Sequence, residues 1–392
     1  MKTNRAAFCF TLFLAFVPLI TIYASPIPGI TLGELALVFF WAVFIIERGL
    51  KVSVDSCTDK MLLFTGYIII FFFATSIVYG FYPNALIRMV RFSFYYITGC
   101  FLVIKWVDYD LLTRWVVRIG KIATCFILLQ YISYHAFGQI LDGKLPFLPL
   151  YYNEYSTMDY EAIYTKMFRP TSFFLEPAHY AQFTLLALVL VLWKEKNIWW
   201  ALFLSAGLLY STSAQGIIIA AVIWVIYFFH KVSHFRFTAK QMLIGIGACA
   251  LGIGLVSWIV QNEVFQSVVE RLSEEGEVSA LYARMGVLEV IIETMTPFSM
   301  LFGHGFGNVI EGDWTTPGLG YVLYGSGFVG LILLLLYLFY AWNRGGMVAK
   351  STVVIFLLMF VQSGVFMHIQ MILYMALMQM KREEKCLQKP VR

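Results

Sequence analysis

Apolar runs long enough to cross a bilayer recur along almost the whole chain, separated by short stretches that carry lysine and arginine. A bilayer core about 30 Å thick is crossed by roughly 20 apolar residues in a helix. The runs predict spans near 6 to 24, 29 to 46, 61 to 79, 89 to 107, 115 to 137, 177 to 193, 198 to 212, 215 to 229, 241 to 260 and 321 to 342. A last run, 352 to 380, is too long for one helix, and as one helix it would put the basic tail K-R-E-E-K-C-L-Q-K-P-V-R on the outer face. Turning near Gly364 to His368 splits it into two short helices, returns the tail to the cytoplasm and gives twelve spans, as the positive-inside rule favours. The expected fold class is all-α: a polytopic integral membrane protein of about twelve transmembrane helices, one membrane domain over 1–392 with both termini cytoplasmic.

Composition closes off the alternatives. With 60% hydrophobic residues and a mean hydropathy of +0.77, a soluble domain could not hide its apolar surface. The net charge of +5 is topology rather than a nucleic-acid footprint, because most basic residues fall in inner loops (Arg48, Lys51 and Lys60; Lys105 and Arg114; Lys194 and Lys196; Lys231, Arg236 and Lys240; Arg344 and Lys350) while Arg88, Arg91, Lys144, Lys166, Arg169, Arg271 and Arg284 remain outside or at the outer edge. Arg118 and Lys121 sit in the first turns of the fifth span and can snorkel inward. Cys9, Cys57, Cys100, Cys125, Cys249 and Cys386 show no C-x-x-C or metal-like spacing, so no disulfide or metal site is expected. The N-terminal run resembles a signal peptide, but its length, and Pro26 directly after Ala24 and Ser25, favour a first span.

Two outer segments are long, about 138–176 and 261–320. The second carries helical patterns near 263 to 272 and 279 to 295, then the glycine-rich L-F-G-H-G-F-G-N of 301 to 308. Inner loops are much shorter, so work on a large substrate belongs outside. The span interiors hold almost no ionisable groups, unlike a proton-coupled pump or ion channel, and no internal repeat suggests an inverted-repeat transporter. Polar groups gather instead at the outer boundary: Arg88, Arg91, Arg169, Glu176, His179, Gln215, Arg284, His304 and His368. Converging arginines suit a phosphate or diphosphate, since a guanidinium fork binds its oxygens in pairs and stays charged. For Arg88 and Arg91, anchoring to lipid head groups is the equal alternative.

The stretch F-R-P-T-S-F-F-L-E-P-A-H, 168 to 179, is the densest of these clusters. Pro177 suits the first turn of a helix, which puts Glu176 at or near its N-cap, as a cap or as a reacting carboxylate. His179, one turn in, is a general base or a packed polar side chain. Arg284 shares a helical face with Leu281, Leu288 and Ile291, so it points inward and needs an anionic partner, either Glu176 or a bound diphosphate. The segment G-H-G-F-G-N could bring backbone N–H groups and His304 to an oxyanion, or simply turn the chain. S-T-S-A-Q-G at 211 to 216 reads as a tight outer turn.

Arg169 with F-F-L-E-P-A-H, the S-T-S-A-Q-G turn, the helix of Arg284 followed by L-F-G-H-G-F-G-N, and the G-S-G-F-V-G of the tenth span resemble the O-antigen polymerase and ligase superfamily, most closely the Wzy-type polysaccharide polymerases. The resemblance covers about 168 to 342 and rests on the order and spacing of loose motifs. It implies a GT-C-like glycosyltransferase of the bacterial inner membrane, acting at the outer face on undecaprenyl-diphosphate-linked oligosaccharides. It also implies no cofactor, nucleotide sugar or metal, and a flippase and chain-length regulator of the same pathway as partners. Arg169 and Arg284 would hold the diphosphate, joined by Arg88 and Arg91 at the outer edge, and Glu176, with His304 or His179 behind it, would handle the acceptor hydroxyl. The ligase branch carries a histidine eleven residues before a G-x-x-G; counting back from Gly327 and Gly330 reaches Thr316, which favours polymerase over O-antigen ligase. A flippase of lipid-linked sugar is the alternative from another class.

Overall fold

The computed structural model describes residues 5–48, 58–80, 84–151, 168–232, 280–308 and 316–381. These residues are helical, with isolated β-bridges and no strand among them. The helices are α1 (Arg5–Ile20), α2 (Leu32–Arg48), α3 (Thr58–Tyr79), α4 (Ala85–Trp106), α5 (Tyr109–Phe137), α6 (Pro177–Leu190), α7 (Ile198–Tyr210), α8 (Ala214–Val232), α9 (Ala280–Thr294), α10 (Pro297–Phe302), α11 (Gly318–Arg344), α12 (Met347–Gln362) and α13 (Met371–Met378). Five of the described helices, α3, α4, α5, α8 and α11, are long and apolar enough to cross a membrane. The expected span at 241 to 260 and the helical pattern at 263 to 272 lie outside the described residues.

Local chemistry sets the ends. α5 starts six residues before the apolar run suggests, because the Asp108 carboxylate accepts from the backbone N–H groups of Asp110 and Leu111 and caps the helix there. Arg114 therefore sits on a helix rather than in a loop. α5 stops at Gly138, which takes the left-handed conformation at φ 64° and returns its N–H to the carbonyls of Ser133 and Tyr134. α2 opens on a reciprocal cap: Thr31 Oγ1 accepts from the Glu34 N–H, and the Glu34 carboxylate accepts from the Thr31 N–H at 2.8 Å.

α6 forms the centre. Every residue from Tyr180 to Leu190 is buried, and α5, α7, α8 and α12 pack around it. A helix apolar on all sides needs such a jacket, because it has no polar face to show to water. Its buried Tyr180 hydroxyl meets that of Thr124 of α5 at 2.8 Å.

The final run does turn where the sequence predicts. α12 ends at Gln362, a short 3-10 turn covers Val365–Met367, and α13 brings the chain back until Met380 accepts a hydrogen bond from the Gly346 N–H at the start of α12. The return differs from a second ordinary span. α13 has 8 residues, about 12 Å of helix, and all of them are buried between α4 and α12.

The helices share two unlike ends. At one, Lys60 lies over the Tyr340 ring, Lys350 over Trp342, and Lys121 pairs with Glu195 at 2.9 Å; Lys381 bridges to Gly345 beside Arg344. At the other, called the mouth below, α3, α7 and α12 end and α4, α6, α8 and α11 begin; the contacts described next join them.

Candidate functional site

The stretch before α6 is pinned to α5. The Phe168 ring stacks on Tyr134 at 4.0 Å, and the Ser172 N–H donates to Gln130 Oε1 at 2.8 Å while its hydroxyl donates to the Ala123 carbonyl at 3.0 Å. Ser172 adopts φ 55°, the left-handed turn that lets both bonds form. Arg169 stands half-buried between these two anchors. Phe174 then plugs into the core against Tyr180 and Phe183. Gln130 and Ser172 hold the arginine's segment in place, and nothing in their sequence setting announces it.

Glu176 occupies the N-cap position of α6 with an exposed side chain that makes no capping hydrogen bond. Of the two sequence readings, the simple cap loses its hydrogen-bonding basis. His179 lies three residues on, on the same face of the first turn. Its ring meets His368, from the break between α12 and α13, edge to face at 5.9 Å. Protein crowds the His368 ring closely enough that desolvation pushes its pKa down to about 4, with neighbouring His179 adding to the shift. The residue is nonetheless exposed, so it stands at the surface rather than in the core. Beside it Gln215, at the start of α8, donates to Ser363 Oγ at 3.3 Å, and the Gly318 N–H of α11 donates to the Ser363 carbonyl at 3.0 Å. The S-T-S-A-Q-G stretch is indeed the turn between α7 and α8, with Ser211, Ser213 and Gln215 all buried.

The glycine-rich segment has a definite job. α11 kinks at Gly327, which frees carbonyls in mid-helix. The His304 N–H donates to the Tyr324 carbonyl at 2.7 Å, the Gly305 N–H to Gly325 at 3.1 Å, and the Tyr67 hydroxyl of α3 to Ser326 at 2.9 Å. Phe306 is buried in a cluster of rings from Phe64, Phe92, Tyr321 and Phe366. Two of the loop's N–H groups, those of His304 and Gly305, are thus spent on the kink. His304 is sandwiched between Tyr324 and Tyr79 at 4.5 and 4.7 Å, and burial lowers its pKa; its Nδ1 has no hydrogen-bond partner among the described residues.

The two basic residues of α4 part ways. Arg91 Nε pairs with Glu34 at 2.8 Å and its guanidinium also donates to the Gly29 carbonyl; the Tyr95 hydroxyl donates to the same carboxylate. This arginine ties α4 to the capping box of α2. Arg88 is half-buried and its Nη1 reaches only the Gly307 carbonyl, at 3.5 Å, which leaves its charge without a carboxylate among the contacts described. Glu34→Ala is expected to cost about 3–5 kcal/mol by stranding Arg91 and Tyr95, read as a lower denaturation temperature of the detergent-solubilised protein.

Arg284 lies on α9, the helix expected over 279 to 295. Leu288 and Ile291, the residues expected to share its face, are buried against Gly320 of α11. The Arg284 side chain itself is outside the described residues. No cluster of three or more metal-ligating side chains occurs among the described residues. The chain matches no protein-family model and no curated protein.

Proposed function

We propose that this protein joins oligosaccharide repeat units carried on undecaprenyl diphosphate into a surface polysaccharide, at the outer face of a bacterial inner membrane. The observation that carries the reading is the division of charge between the two ends. Arg88, Arg169, Glu176 and His179 belong to the mouth, while the lysines of the inner loops belong to the opposite end. A substrate with a diphosphate head and an apolar tail fits that division, the head at the mouth and the tail in lipid. The positive-inside rule then puts the mouth outside and both termini in the cytoplasm.

In this reading the full chain has about twelve spans in a GT-C-like arrangement. Arg169, Arg284 and Arg88 hold the diphosphate of the donor and offset the charge it gains as it leaves. Glu176 orients the acceptor hydroxyl from the rim, where its carboxylate is unspent on capping. Arg91 and His304 support the site, the first through Glu34 and the second by seating the glycine loop. A flippase that delivers the repeat units and a chain-length regulator are the partners this activity calls for.

Cells lacking the protein are expected to accumulate single lipid-linked repeat units and to lose the polymer, seen by gel and by mass spectrometry of the lipid fraction. Unchanged polymer length and abundance would refute the proposal. Long lipid-linked polymer left unattached would point to a ligase, and translocation without joining to a transporter.

A further inference from the structure

The contact between His179 and His368 joins residues 189 positions apart in sequence, where the end of α12 meets the start of α6. The break that carries His368 is not loosely held. The Tyr96 hydroxyl donates to the Phe366 carbonyl at 3.2 Å, and the Phe366 ring is buried against Phe306, Phe356 and Phe360. The Gln215 and Gly318 bonds to Ser363 fix its other edge. The chain on the N-terminal side of His368 is therefore anchored while His368 itself is exposed, its ring against His179, which lies three residues along α6 from the exposed Glu176.

We propose that His368 is the proton acceptor of the transfer reaction, and that His179 is its positioning partner. This rests on the polymerase reading above. The acceptor hydroxyl oxygen forms the new bond to the anomeric carbon of the donor sugar. The bond from that carbon to the diphosphate oxygen breaks and the electron pair leaves with the lipid diphosphate. The hydroxyl proton passes to a neutral imidazole nitrogen of His368 and from there to solvent, so no further reactant is needed. His179 orients the ring edge to face and adds to the lowering of the His368 pKa.

The surroundings keep such a base neutral and available. Among the described residues, α6 contributes His179, in ring contact with His368, and Glu176 three residues before it; the end of α12 and the start of α8 contribute the uncharged Ser363 and Gln215, bonded to each other. Desolvation and His179 both hold the His368 pKa below the ordinary histidine value.

The test uses membrane vesicles containing the full chain and the lipid-linked repeat unit that accumulates in cells lacking it, with initial rates followed across pH. Wild type should lose activity on the acid side at a midpoint below about 6.5, as the base becomes protonated. His368→Gln should lower kcat on the order of 100-fold with KM little changed, and abolish the acid limb. His179→Gln removes the neighbouring charge and should move the limb to higher pH. A His368→Gln rate within about 3-fold of wild type, with the same acid limb, would overturn the inference and leave the polymerase reading standing. If His368→Gln does not accumulate in the membrane, an unmoved limb in His179→Gln overturns it instead. Wild-type vesicles that leave the lipid unextended at every pH would remove the polymerase reading, and this inference with it.

Discussion

Arg169→Ala and Arg284→Ala, each inserted at the wild-type level, are expected to lower polymerisation by roughly 100- to 1,000-fold, the loss seen when a preorganised donor to a developing oxyanion is removed. A lipid diphosphate gains negative charge as it leaves the sugar, and the planar forks of guanidinium groups match its phosphate oxygens where an ammonium offers only a point charge. Lysine at either position should therefore restore part of the rate but not all. The pattern to look for is accumulation of single lipid-linked units with the protein still present on an immunoblot. Full-length polymer from either alanine variant would exclude that residue from the diphosphate site. Arg91→Ala should behave differently, with less folded protein rather than slow protein, because its charge is committed to Glu34.

What the sequence makes legible here follows from how local each signal is. Helix positions are legible because the apolar runs are long and the caps are adjacent residues; even the reversal near Gly364 to His368 follows from charge in the tail. The start of α5 is misjudged by hydropathy alone, since Asp108 caps a helix whose first turns are polar. At the site, Pro177 correctly announces the start of α6, and Arg169, Glu176 and His179 are found by their rarity in an apolar chain. Their partners are not legible. Gln130 under Ser172, Glu34 under Arg91 and His368 beside His179 are pairings across tens to hundreds of residues, set by which helices happen to pack. The glycine-rich loop shows the same limit. Its sequence suggests backbone donors for an oxyanion, and two of those donors, the N–H groups of His304 and Gly305, meet carbonyls of α11 beside its kink.

That kink makes Gly303→Ala and Gly327→Ala the substitutions expected to damage the fold most. Gly303 sits at φ 78° and ψ −178°, Gly327 at φ 63° and ψ −169°, a region of backbone space that is essentially glycine's alone. The conformational strain of an alanine there is about 1–3 kcal/mol. Sterics add to it, because the two glycines face each other's chain. A Cβ on Gly303 would lie 2.4 Å from the Gly325 carbonyl carbon and the Ser326 nitrogen, and one on Gly327 would lie 2.4 Å from the Leu301 carbonyl carbon. Those atoms are backbone and cannot swing aside as a side chain would. Making room means separating the loop from α11, which strands the carbonyls of Tyr324 and Gly325 and withdraws Phe306 from its ring cluster. Each buried acceptor left unpaired costs a further 1–3 kcal/mol or so. The sum is comparable with the whole stability of an ordinary domain, about 5–15 kcal/mol. Either variant should therefore fail to accumulate as a monodisperse species on fluorescence-detected size-exclusion chromatography. Gly286→Ala, on α9 where an added Cβ meets nothing within 4 Å, should elute as wild type. Normal elution of Gly303→Ala would mean that the loop and the kink are not locked together as described.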